Sequence, residues 1–133
     1  MPEPNHPFIE LLKSDRRFKV EAYHFVRESL AYAHNVLKMG ASGKSASEDV
    51  RHLTGQQLCE AIRRFALEQY GMMAEIVLNE WGIHSTGDFG EIVYNLIGIE
   101  VMKKSESDRR EDFDDVYSFD KAFREDFQIK LPE

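Results

Sequence analysis

Four glycines, Gly40, Gly71, Gly82 and Gly98, divide this chain into runs whose apolar residues recur three and four positions apart. That spacing lines one face of an α-helix, and glycine is the residue best suited to end one. The clearest run carries Phe18, Ala22, Phe25, Val26, Ser29, Leu30, Ala33, Val36 and Leu37 on one face, and predicts a helix over 15–38 as the longest element. Ahead of it, Phe8, Ile9 and Leu12 follow Pro7, a residue that fits the first turn of a helix. After Gly40 the chain is small and polar as far as Glu48, which predicts a flexible loop over 40–50.

Three more helices follow. Thr54 and Gln57 have the spacing of a capping box, in which each side chain satisfies a backbone N–H of the other. The helix they open buries Leu58, Ile62, Phe65 and Ala66 and closes at Gly71. Met73, Ala74, Val77, Leu78 and Trp81 form the stripe of the next, with Trp81 expected to be largely buried against the helix after it. Ser85 or Thr86 caps that last helix, which turns Phe89, Ile92, Val93, Leu96 and Ile97 inward and stops at Gly98. Asp88 and Glu91 lie in its first turns, where the helix dipole favours negative charge. Beyond Gly98 the apolar period shortens towards two, so 99–103 and 127–131 read as a pair of short strands, with short helical stretches at 107–112 and 119–123. The expected fold is mainly α: one compact domain over 1–133, of five to seven helices with a two-stranded β pair, loosely winged-helix-like in its second half, and disordered over 1–7.

Charge narrows the function. From Phe65 to Met102, 38 residues pass without a Lys or Arg, where the density of 17 in 133 would place about five, and six carboxylates fall in the same block. Binding to nucleic acid backbones rests on Lys and Arg, so this block opposes it. The net charge is −7, and 105–133 carries ten carboxylates against five basic residues. That balance favours a basic protein partner over DNA or anionic lipid. The N-terminal residues lack the positive-then-apolar order of a signal peptide. The single cysteine fits a reducing compartment, and no apolar run reaches the roughly 20 residues of a membrane helix. A cytoplasmic protein is expected.

No catalytic, metal or cofactor motif emerges. Gly40 to Ser45 ends like a phosphate-binding loop but has two residues between its glycines where four are needed. Glu21 and His24 have the spacing of a di-metal bundle site without the second copy such a site requires; Glu3 and His6 repeat it only in a proline-rich terminus. Cys59 has no neighbouring cation to activate it, and His34, His52 and His84 stand alone. Glu111, Asp112, Asp114 and Asp115 lack the order of a calcium loop. The remaining signal is aromatic: Phe113, Tyr117, Phe119, Phe123 and Phe127 interleaved with acids. These either pack back as a lid or form an apolar binding surface kept soluble by its acidic rim.

Arg17-Phe18-Lys-Val-Glu-Ala22-Tyr23, Gly55-Gln-Gln-Leu58, Arg63-x-Phe65-Ala66-Leu67-Glu68-Gln69-Tyr70-Gly71, Trp81-Gly82-Ile83 and Asp88-Phe89-Gly90-Glu91-Ile92-Val93 resemble a family of small bacterial proteins from planctomycete, verrucomicrobial and myxobacterial lineages. The resemblance covers about Phe8 to Phe127 and implies a free-standing bacterial cytosolic protein, with no activity to carry over. The leading expectation is a non-enzymatic interaction module that binds a protein partner, of basic character, through Phe113, Tyr117, Phe119 and Phe123. A winged-helix-like nucleic-acid-binding regulator is the alternative, and a small enzyme without a recognisable motif the third.

Overall fold

The computed structural model describes residues 7–38, 53–104 and 108–125, with Arg124 and Glu125 as backbone only. It contains five α-helices among these residues: α1 (Pro7–Ser14), α2 (Val20–Asn35), α3 (Gly55–Tyr70), α4 (Ala74–Glu80) and α5 (Thr86–Gly98). A 3-10 turn, Gly71–Met73, joins α3 to α4; another covers Arg110–Phe113, and a π-helical turn covers Lys121–Glu125. α2 packs along α3 and against α5, while 110–113 is wedged against both α3 and α5. One buried cluster draws residues from each of these elements except the Gly71–Met73 turn.

The capping box forms as its spacing predicts. The Gln57 N–H donates to Thr54 Oγ1 at 3.0 Å and the Thr54 N–H donates to Gln57 Oε1 at 2.9 Å. At α5 the expected Ser85 cap makes no side-chain hydrogen bond. Asp88 instead accepts from the His84 N–H at 2.8 Å, and Thr86 is buried, accepting from the Val116 N–H at 3.1 Å. The inward face of α5 is otherwise as expected, with Phe89, Ile92, Val93 and Leu96 in the core. In α1 it is Leu11 that is buried, while Ile9 is exposed.

Three expectations are corrected. The helix expected over 15–38 begins at Val20 and ends at Asn35, equal in length to α3 at 16 residues. Asp15 accepts hydrogen bonds from the Arg17 backbone at 3.2 Å and from its guanidinium at 2.9 and 2.6 Å, a local turn that competes with helix. Phe18 is buried all the same, but from that turn. Tertiary contact fixes the arrangement: Lys19 N–H donates to the Trp81 carbonyl at 3.1 Å, and Gly82, at φ 97°, lies so close that a Cβ there would be 2.0 Å from the Arg17 carbonyl oxygen. Only glycine meets both demands.

Residues 99–103 are not a strand. Glu100 adopts φ 65°, and the N–H groups of Val101 and Met102 both donate to the Leu96 carbonyl, at 2.9 and 3.3 Å. The weak alternation is a turn that closes α5 by capping its last carbonyls. Its expected partner, 127–131, lies outside the described residues, as do the 40–50 loop and residues 1–6. No strand occurs among the described residues, so the β pair and the winged-helix likeness find no support.

Trp81 is half-buried, and its ring lies 5.4 Å from Phe25 and 5.9 Å from Tyr70, against α2 and the end of α3 rather than α5.

Candidate functional site

The aromatic segment proposed as a surface is interior. Phe113, Phe119 and Phe123 are 5, 6 and 2% exposed. Phe119 lies 5.7 Å from Phe89 of α5 and 5.0 Å, edge-on, from Phe123, which in turn lies 6.0 Å from Tyr117. Tyr117 Oη donates to the Cys59 carbonyl at 2.7 Å, and burial pushes its phenol well above the ordinary value. Asp114, Asp115 and Asp120 point outward. The segment is therefore a lid, and the premise that Phe113, Tyr117, Phe119 and Phe123 present an exposed patch is corrected. Two glycines make the docking possible: a Cβ at Gly90 would sit 2.8 Å from Phe113 Cβ, and one at Gly55 would sit 2.9 Å from Asp112 Cβ. Phe127 lies outside the described residues.

A ladder of charges holds this lid to the 15–17 turn. Arg17 donates to Asp15 and to Glu91 Oε1 at 3.1 Å; Arg110 donates to Glu91 Oε2 at 2.6 Å and to Asp114 at 2.8 Å. Asn95 bridges Asp15 at 2.9 Å and Tyr23 Oη at 3.1 Å. The Arg17 guanidinium holds the Asp15 carboxyl well below its ordinary range, and Arg110 lowers Glu91. This is structural cross-bracing between the 15–17 turn, α5 and residues 110–114.

The other sequence candidates disperse. Cys59 is buried and its thiol is pushed up to about 12 by that burial, which leaves it unreactive. Glu21 and His24 are both exposed on α2, not directed into a bundle, and His84 is exposed. Asp112 and Asp114 accept hydrogen bonds from the Arg109 N–H and Arg110, so the acidic run serves the turn and the ladder. No group of three or more metal-ligating side chains occurs among the described residues. The Gly40–Ser45 loop and His52 lie outside them.

What the structure exposes instead is the junction of α3 and α4. Met72, Met73 and Ile76 are 66, 52 and 55% exposed, within five residues. Gly71, at φ 53°, breaks α3 and starts the 3-10 turn, which shifts the phase of the helical stripe. Met73, expected in the core, faces out, while Ala74 and Leu78 stay buried. Exposed Glu68 and Glu80 and half-buried Glu75 lie along the same stretch. Glu80 reaches Lys19 at 3.8 Å, an open pair that carries little energy. The signal legible in the sequence was the pair of adjacent methionines after a helix-ending glycine. No described helix is long and apolar enough to cross a membrane.

Comparisons with family models, with curated proteins and with solved structures find no match to this chain.

Proposed function

We propose that the chain is a non-enzymatic interaction module that docks a basic protein partner on the Met72–Met73–Ile76 face. The observation that carries this is that three large apolar side chains within five residues of chain are each more than half exposed, in a stretch whose charged residues are all acidic. Single exposed apolar residues are ordinary, but contiguous ones mark contact surfaces. Methionine suits such a face because its flexible, polarisable side chain adapts to the partner. The rim of Glu68, Glu75 and Glu80 selects a segment with Lys or Arg beside its apolar residues, and speeds its approach more than it tightens the complex. On this reading the protein works in a bacterial cytoplasm, as its family resemblance implies.

The test places a photocrosslinking amino acid at position 76 in the native host, identifies what it captures, and reconstitutes that pair. The reading expects a partner crosslinked through a basic, apolar segment, with affinity reduced at least tenfold by Ile76→Glu and an association rate that falls with salt. A partner whose binding ignores Ile76→Glu and Met73→Glu would overturn it. So would a self-dimer that Ile76→Glu dissolves.

A further inference from the structure

A second feature shares no residue with the docking face. A cavity of about 270 Å3 lies between the C-terminal half of α2, the start of α3, the second half of α5 and the turns on either side of 105–107. Leu30, Leu58, Val93, Ile97, Met102 and Phe113 make its walls predominantly apolar. Among its charged residues Asp108 and Asp112 equal Lys103 and Arg109 in number, and His34 and Thr54 add polar groups, so no one sign of formal charge dominates the lining. Tyr94 also lines it, and the Tyr94 hydroxyl is sealed from solvent with no hydrogen-bond partner, the only buried side-chain atom so placed among the described residues. A buried hydroxyl without a partner is destabilising and calls for an explanation, and a ligand that accepts its hydrogen bond is one.

Burial raises the Tyr94 pKa, and Asp108, Asp112 and Glu111 raise it further. The phenol therefore stays protonated and able to donate. A cavity of about 150 Å3 lined by Leu, Ile and Phe holds benzene, so by volume this one takes about eleven non-hydrogen atoms. We propose that the cavity binds a small, neutral, largely apolar ligand carrying one hydrogen-bond acceptor, which the Tyr94 hydroxyl meets. That hydroxyl is covered in the unliganded structure, so binding requires the partly exposed Tyr94 side chain to rotate towards the ligand. The site is a specificity pocket of the kind in which apolar walls supply affinity and one polar group supplies orientation.

The probes are 1-indanone, a two-ring ketone, and indane, which lacks the carbonyl. Both are titrated into the full chain while the methyl NMR signals of Val93, Ile97 and Met102 are followed. The proposal expects 1-indanone to shift these methyls saturably below 1 mM (roughly −4 kcal/mol or better). It expects indane to bind at least tenfold more weakly, and Tyr94→Phe to remove that tenfold preference. Tyr94→Phe deletes one unpartnered oxygen and should fold at least as well as the parent, so it remains informative if the cavity-filling Ile97→Trp does not fold. No saturable shift with 1-indanone, shifts confined to other methyls, equal binding of ketone and hydrocarbon, or an unaltered preference in Tyr94→Phe would each overturn the proposal.

Discussion

Gly90→Ala isolates the contact on which the C-terminal lid depends. Gly90 lies in the interior of α5, where alanine is favoured over glycine by about 1 kcal/mol on helix propensity alone. Local reasoning therefore predicts a more stable protein. The structure predicts the reverse, because the new Cβ would lie 2.8, 2.9 and 3.0 Å from Cβ, Cγ and Cδ2 of Phe113. Those are the near end of a buried ring, not the tip of a flexible chain, so Phe113 and the 110–113 turn must shift together. Forced overpacking costs about 1–3 kcal/mol, and losing the packing of a buried Phe about 3–5. With three contacts at 3.0 Å or less, the upper half of the overpacking range applies, about 2–3 kcal/mol. Less the propensity gain of about 1 kcal/mol, this leaves a net cost of about 1–2 kcal/mol, or roughly 4–8 °C in Tm at this size. Gly98→Ala is the control: it ends the same helix with nothing within 4 Å of its Cβ, and should be neutral or stabilising. Urea titrations followed by far-ultraviolet circular dichroism measure both. Adding Phe113→Leu should recover part of the Gly90→Ala loss, giving a coupling that distant sites would not show. A Gly90→Ala protein as stable as the parent would refute the docking geometry.

Four further outcomes follow from the other contacts described. Arg17, Arg63 and Arg110 hold Asp15, Glu60 and Glu91 respectively below their ordinary ranges. Their contribution is complete above about pH 5 and is lost as pH falls through the folded values. The urea midpoint should therefore begin to drop below about pH 5 and go on falling below about pH 3, where Asp15 titrates last. Asp15→Asn should cost about 1 kcal/mol at pH 7, discounted for the half-exposed Arg17, and should flatten that acid limb. Cys59 should resist maleimide at pH 8 in the native protein and react at once in urea, since its thiol is buried and its pKa raised to about 12. Tyr117→Phe should cost about 1 kcal/mol by removing the hydrogen bond to the Cys59 carbonyl, measured by the shift in urea midpoint.

Much of the helical frame was legible because its signals are local. The Thr54–Gln57 box, the stop at Gly71 and the inward stripe of α5 all depend on residues within a few positions of each other. What sequence reasoning missed depends on distant partners or on backbone phase. The start of α2 is set by the approach of Gly82 to the Arg17 carbonyl, across more than sixty residues. The alternation at 99–103 is that of a helix-closing turn around Glu100, since two apolar residues flanking one polar residue suit a turn as well as a strand. Interleaved Phe and Asp read alike as lid or as surface. The distinguishing residues were Gly55 and Gly90, whose missing side chains admit 110–113, and a mid-helix glycine is the one clue that points there. The methionine face escaped because Gly71 resets the helical phase before Met73.

On the proposed reading the working surface is the Met72–Met73–Ile76 face, while Phe113, Phe119 and Phe123 belong to the core. One side-by-side measurement tests it: melting temperature and affinity for the crosslinked partner in Ile76→Glu and Phe119→Ala. The account predicts that Ile76→Glu keeps its stability within about 0.5 kcal/mol while binding falls at least tenfold, and that Phe119→Ala loses about 3–5 kcal/mol or does not fold. A stable Phe119→Ala that has lost the partner, beside an Ile76→Glu that still binds it, would contradict both halves of the claim.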